Sequence, residues 1–237
     1  MGAGNNAGDC LVMARQAWNL GFRNLTIIRM KDELKGLSLR WHEVAGRLGI
    51  PSLSFAVERE ASLALVRECS ILVDGITGLG IDGPLKGVAA DFITALEEIR
   101  GPRVVAVDSP SGIGDEFRQG FPAVQADLTL TVAPAKSALY LPAARPFCGR
   151  IRPVAIGFPQ AVLDAVPGTV LMDREEAEKR ILPFPPHFFK NRRGHSAVFG
   201  GSVGTAGAAL LTTEAAARGG AGLVTLFVDP DIYTVAA

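Results

Sequence analysis

Through the first two-thirds of this chain, short apolar runs alternate with segments whose apolar residues recur every three or four positions. That alternation restricts the fold more than any other feature. The runs are NLTIIRM (24–30), SLSFAV (52–57), SILVDG (70–75), RVVAVD (103–108), DLTLTVA (127–133) and RIRPVAIG (150–157). Between the early runs, Leu37, Trp41, Val44 and Leu48 form a helical stripe stopped by Gly49 and Pro51. A second helix is expected near 59–68, and a third carries Val88, Phe92, Leu96 and Ile99. Ahead of them Leu11, Ala14 and Trp18 mark another, with Gly21 as its C-terminal cap. Short strands alternating with amphipathic helices predict an α/β fold, a parallel sheet covered by helices on both faces.

The chain has 237 residues, 48% of them hydrophobic and 20% charged, enough apolar material to form a buried core. Lys+Arg and Asp+Glu are each 24, so net charge gives no reason to expect nucleic acid or an anionic membrane as partner. Cys10, Cys69 and Cys148 are isolated, without metal-ligand or disulfide-framework spacing, and a reducing cytoplasm is the expected setting. No basic segment followed by an apolar stretch stands at the start. The uncharged run Ala197 to Thr213 is broken by glycines and is shorter than the roughly 20 apolar residues a membrane span needs. The chain reads as soluble.

After the proline-rich connector LPFPPHFFKNRRG (182–194), HSAVFG, GGSVGTAG, a helix over 205–218 and GLVTLFVD form one further β-α-β unit. The expected organisation is a first domain over 1–160, a connector over 161–194 and a second domain beginning at 195 and running to 237. The opening glycine turn GAGNNAGDC would ordinarily follow a strand, and only Met1 precedes it. The first domain is therefore expected to lack its first strand. The second domain is expected to be incomplete, because one β-α-β unit cannot bury both faces of its sheet.

Four stretches fall where strands end, the edge at which an open α/β sheet holds ligands. In GAGNNAGD, Gly2, Gly4 and Ala7 satisfy the dinucleotide-turn spacing, yet Asn5, Asn6 and Asp9 are more polar than cradling a phosphate requires. Their amide carbonyls suit a hard monovalent cation, and an ordinary turn explains the stretch equally well. In DGITGLGIDGPL (74–85), Asp74 ends a strand ahead of a glycine loop whose bare amides could surround a phosphate; the competing reading is a flexible connector. In VVAVDSPSGI (104–113), Asp108 ends a strand and Pro110 presents Ser111 and Gly112 beside it, which a plain turn would also do. In TVAPAKSALYLP (131–142), Lys136 follows a strand and is read as solvated in preference to binding a phosphate. His42, His187 and His195 are scattered, and Cys10 has no neighbouring histidine to activate it as a nucleophile.

Taken in order, GAGNNAGD, DGITGLG, VDSPSG and TVAPAKSALY resemble the YjeF N-terminal family of NAD(P)H-hydrate epimerases, from residue 2 to about Pro159. Beyond the connector, NRRGHSAVFGGSVGTAGAALLTTEAAARGGAGLVTL is similar to the opening of the ADP- or ATP-dependent NAD(P)H-hydrate dehydratases, which have a ribokinase-like fold. The resemblance implies a Rossmann-like sheet sandwiched by helices and a repair reaction: interconversion of the R and S epimers of hydrated NADH or NADPH at C6. It implies a potassium ion held by Asn6, Asp74 and Ser111. It further implies a substrate site made of Asn5, Asn6, Ala7, Gly8 and Asp9, of Gly78, Leu79, Gly80, Ile81, Asp82, Gly83 and Pro84, and of Asp108. Asp108 is the candidate acid/base, and a homo-oligomer is one of the assemblies the sequence leaves open. In the family pattern glycines stand where this chain has Ala7 and Cys10, so a positive φ at either would strain the turn. The dehydratase nucleotide site and its catalytic G-x-G-D are expected outside these residues, and no dehydratase activity is expected of them alone.

A non-catalytic adaptor on the same fold is the competing class; a scaffold, however, has no need of Asn6, Asp74, Asp108 and Ser111 together. A conventional NAD-dependent oxidoreductase would need an acidic residue ending its second strand, where Ile28, Arg29 and Met30 stand, with Asp32 beyond them.

Overall fold

A computed structural model describes residues 1–132, 134–181 and 185–236. Contacts divide the chain into two units, Met1–Thr169 and Val170–Ala237. In the first, α1 (Asn5–Asn19), β1 (Ile27–Arg29), α2 (Gly36–Arg47), β2 (Ser52–Ser54), α3 (Arg59–Glu68), β3 (Ile71–Asp74), α4 (Val88–Glu97) and β4 (Arg103–Val107) alternate as the apolar pattern predicts. The strands β5 (Leu128–Val132) and β6 (Arg150–Val154) follow, joined by two short 3-10 turns, and α5 (Gln160–Asp164) closes the unit. Ala133, the last residue of the expected fifth run, lies outside the described residues.

Every strand pair is parallel. β1 pairs with β2, and β3-β4-β5-β6 form a four-stranded sheet in that order. Between β1 and β3 runs the backbone of the first two residues. Met1 N donates to Ile28 O at 2.6 Å and Met1 O accepts from Met30 N at 2.9 Å. Gly2 N donates to Gly75 O at 3.1 Å. This stub links the two sheets and delivers the opening segment to their C-terminal ends.

Helices α1 and α2 pack over β1 through Leu11, Ala45, Ile27 and Ile50. On the opposite face α3 and α4 bury Leu63, Val66, Phe92 and Ile93 against Met30, Phe55 and Ile76, with Phe55 and Phe92 meeting edge to face at 4.9 Å. The sandwich is uneven. Ile71 and Val73 of β3, expected to be covered, are 62% and 41% exposed. A further cluster of Ile113, Phe117, Ala138, Leu139 and Cys148 fixes the segments after β4 and β5. Those are the segments that carry two of the four motifs.

In the second unit, α6 (Arg174–Arg180) precedes β7 (His195–Phe199), α7 (Ala206–Arg218), β8 (Leu223–Phe227) and the one-turn α8 (Tyr233–Ala236). β7 and β8 pair in parallel around α7, the expected β-α-β unit. Phe199 and Phe227 stack at 4.5 Å on an exposed face. Within the connector, Leu182 to Phe184 lie outside the described residues.

Candidate functional site

The opening segment is a helix start and not a free glycine loop. Gly4 is the N-cap, and Asn5 to Asp9 already form the first turns of α1. The turn expected there is corrected for a simple reason: after the two-residue stub nothing forces a positive φ, so the chain enters the helix at once. Ala7 and Cys10 consequently carry no strain, since among the described residues Asp108 is the only non-glycine with positive φ. Close approach explains the glycines that matter. A Cβ on Gly2 would lie 2.0 Å from Ile76 O, and one on Gly75 would lie 2.1 Å from Cys10 Sγ. The N-terminus of α1 thus rests directly on the end of β3.

That contact closes a buried polar cluster. Asn6 Nδ2 donates to Thr77 O at 2.8 Å and to Val107 O at 3.0 Å, which spends both amide hydrogens and leaves Oδ1 buried without a partner. Asp74 Oδ1 accepts from Ser111 Oγ at 2.6 Å and from Ile76 N at 3.2 Å, while Oδ2 accepts from Ser111 N at 2.7 Å. Thr77 N donates to Ser111 Oγ at 2.9 Å, and Thr77 Oγ1 accepts from Gly112 N at 3.2 Å. Asn6, Asp74 and Ser111 are therefore brought together around Thr77, each of the three buried. Burial pushes the Asp74 carboxyl above the ordinary carboxylate range, against the hydrogen bonds from Ser111 and Ile76 that hold it down. No Lys or Arg pairs with it among the described residues. An unpartnered amide oxygen beside a buried carboxyl and a hydroxyl is a hard-oxygen donor set.

Next to this cluster the end of β4 is strained. Asp108 has φ of 65°, a left-handed conformation that costs a non-glycine residue about 1–3 kcal/mol and persists only where its surroundings enforce it. Here they do. Asp108 N donates to Leu130 O at 2.8 Å, and Asp108 Oδ1 accepts from Val132 N at 3.1 Å and from Lys136 Nζ at 2.5 Å. Asp9 stands near enough that burial and then the Asp108 charge raise its carboxyl above the ordinary value. Lys136, read from sequence as a solvated lysine, is instead half-buried in an ion pair. The 3-10 turn after it, Ser137–Tyr140, buries Ala138 and Leu139 and so draws the lysine in against β5.

The glycine loop after β3 forms the rim. Gly78 lies against Asn6, where an added Cβ would be 3.7 Å from the asparagine's own. Leu79 O and Ile81 O crowd Gly114, where a Cβ would come within 2.9 Å, and Gly83 adopts φ of 72°. Gly80, Asp82 and Pro84 are exposed, as are Asn5 and Asp9, while Gly8 is buried with Ala7. Cys10 is no nucleophile, because burial pushes its thiol up to about 12. Arg29 ends β1 and reaches Asp32 at 3.4 Å. Three participants escape sequence reading: Thr77, the Val107 carbonyl and the ion-paired state of Lys136. The first two act partly through backbone atoms, which every residue has, and the third depends on where β5 lies.

An open parallel sheet whose strand-end carboxylates and glycine loop converge at one edge defines a Rossmann-like ligand-binding α/β domain. The chain belongs to the family described as YjeF-related protein N-terminus, whose model matches residues 1–138. The bifunctional NAD(P)H-hydrate repair enzyme Nnr of Coxiella burnetii is 32% identical over 237 residues, covering 97% of this chain and 46% of the relative. The NAD(P)H-hydrate epimerase of Clavibacter sepedonicus is 33% identical over 166 residues, covering 66% of this chain and 70% of the relative. The chain thus spans less than half the length of the Coxiella protein. A crystal structure of yeast ynu0, YNL200c, shares the fold with a TM-score of 0.54 at 20% identity, covering 79% of this chain and 72% of that one. No helix of the described residues is long and apolar enough to cross a membrane.

Proposed function

We propose that the first domain, residues 1–160, interconverts the R and S epimers of hydrated NADH and NADPH at C6 of the nicotinamide ring. The observation that carries this reading is the convergence at one sheet edge of Asn6, Asp74 and Ser111 with Asp108. The names of the Coxiella and Clavibacter relatives support the same substrate class. The rim loop Gly78 to Pro84 and the helix start Asn5 to Asp9 would surround the substrate, and their backbone amides are suited to its diphosphate.

Asn6 Oδ1, Asp74 and Ser111 would hold a potassium ion, and the unpartnered Asn6 oxygen beside the buried Asp74 carboxyl fits one. When bound, the ion would supply a positive charge beside the buried Asp74 carboxyl. Epimerisation then needs a proton moved at one oxygen. Asp108, in its acid form, protonates the C6 hydroxyl, which leaves as water while the ring nitrogen's electron pair forms the iminium. Water adds to the other face, and the Asp108 carboxylate takes up its proton. The carboxylate also stabilises the cationic ring between the two events.

Residues 195–237 would open a dehydratase domain that uses ADP or ATP, with residues 161–194 as connector. That half would consume the S epimer in the longer polypeptide. The reading of the first domain is tested with purified protein and the pure R-hydrate of NADPH, separating the epimers by chromatography over time. Conversion faster than the spontaneous rate in potassium, and slower when sodium or lithium replaces it, is the expected result. No acceleration by folded protein would favour an adaptor.

A further inference from the structure

We infer that Lys136 is a positioning residue for Asp108: it anchors one carboxylate oxygen so that the other alone is presented to the reacting ring. The inference rests on the epimerase reading for its catalytic meaning, and on the local geometry for the anchoring itself.

The lysine has three N–H donors, and the structure assigns all of them within the protein. Nζ reaches Asp108 Oδ1 at 2.5 Å, Val132 O at 2.5 Å and Thr131 Oγ1 at 3.5 Å. A substrate phosphate would find no donor left on it. Its side chain is 25% exposed and that of Asp108 23%, so the pair is partly withdrawn from water and its charges are screened less than those of a surface bridge. Asp108 Oδ1 also accepts from Val132 N, whereas Oδ2 accepts from no group of the described residues. The carboxylate is thus fixed on one side and open on the other.

Two further features call for such an anchor. The left-handed backbone of Asp108 must be held by its surroundings, and the Lys136 and Val132 contacts tie its side chain to β5. Asp9 on α1 faces the same carboxylate, so without the lysine two negative groups would confront each other with no cation between them. The charged groups facing Asp108 are accordingly Asp9 from α1 and Lys136 from the segment after β5.

The test compares wild-type protein with Lys136→Met and Lys136→Arg. Two readouts are taken: the pH titration of the Asp108 carboxyl carbon by NMR, and epimerisation kinetics as a function of pH. In Lys136→Met the titration midpoint is expected to move to higher pH, and the alkaline limb of the kcat/KM profile, where the acid form of Asp108 is lost, should move alongside it. The value of kcat should fall about 10²-fold, the scale of a misplaced catalytic group, with KM little changed. Lys136→Arg keeps the charge and should keep the midpoint. An unchanged midpoint in Lys136→Met overturns the inference whether or not the chain is active, and so does an unchanged kcat in an active chain. A shifted midpoint in a wild-type protein that does not accelerate epimerisation supports the anchoring and removes the epimerase reading instead. Should Lys136→Met fail to fold, Lys136→Gln carries the same comparison.

Discussion

The two polar clusters at the sheet edge differ in almost every physical respect. Around Asn6, Asp74 and Ser111 everything is buried, short-range and neutralised by backbone amides and hydroxyls, with one amide oxygen left over. Around Asp108 the groups are partly exposed, set a carboxyl against a lysine and sit on a strained backbone. Under the proposed function the first arrangement would hold a fixed ion and the second, closer to solvent, would move a proton, so that depth below the surface would separate the two roles.

Substitution of Asp108 should act on rate and leave the ion response intact if that division holds. Asp108→Asn is expected to lower kcat by about 10²–10⁴-fold, the usual contribution of a general acid or base, while the potassium-dependent shift in thermal unfolding stays the same. A loss of the potassium response in the same variant would break the separation.

Asp74→Asn should show the reverse pattern. The amide keeps the volume but replaces an acceptor oxygen of a buried, fully paired group with a donor, at a cost of about 1–3 kcal/mol. Unfolding measured in potassium and in lithium should become the same. Persistence of a potassium-dependent melting temperature would place the ion elsewhere.

Gly75→Ala probes the contact that brings α1 onto β3. The new Cβ would lie 2.1 Å from Cys10 Sγ, and overpacking of this kind costs about 1–3 kcal/mol. Cys10→Ala in the same chain should recover most of that loss in a denaturant titration, because the sulfur is the nearest atom. Absence of recovery would mean that backbone contact with Asn6 O, 3.2 Å from the same Cβ, dominates instead.

The smallest effect is expected at Asp9. Its folded carboxyl is raised by burial and then by Asp108, so its contribution to stability is present below the unfolded value and is lost as pH rises through the folded one. Asp9→Asn should therefore raise the melting temperature slightly at pH 7 and leave it unchanged near pH 3. A stabilisation of equal size at both pH values would show that the Asp108 charge has no part in it.

Much of this molecule was legible in the chain itself. Short apolar runs located the strands and periods of three to four residues the helices, because apolar side chains must face a core whatever its shape. The strand-end positions of Asp74 and Asp108 followed from that alternation, and so did the sheet edge on which they fall. What only the tertiary structure decided is which atoms remain free. Thr77 serves through its backbone as well as its hydroxyl, and the Val107 carbonyl fixes an amide 101 residues away. The left-handed φ of Asp108 and the three committed donors of Lys136 depend on how β4 and β5 are placed side by side. Hydrogen-bond satisfaction is a property of neighbours in space, and the alternation of a sequence says which residues face inward without saying whom they meet.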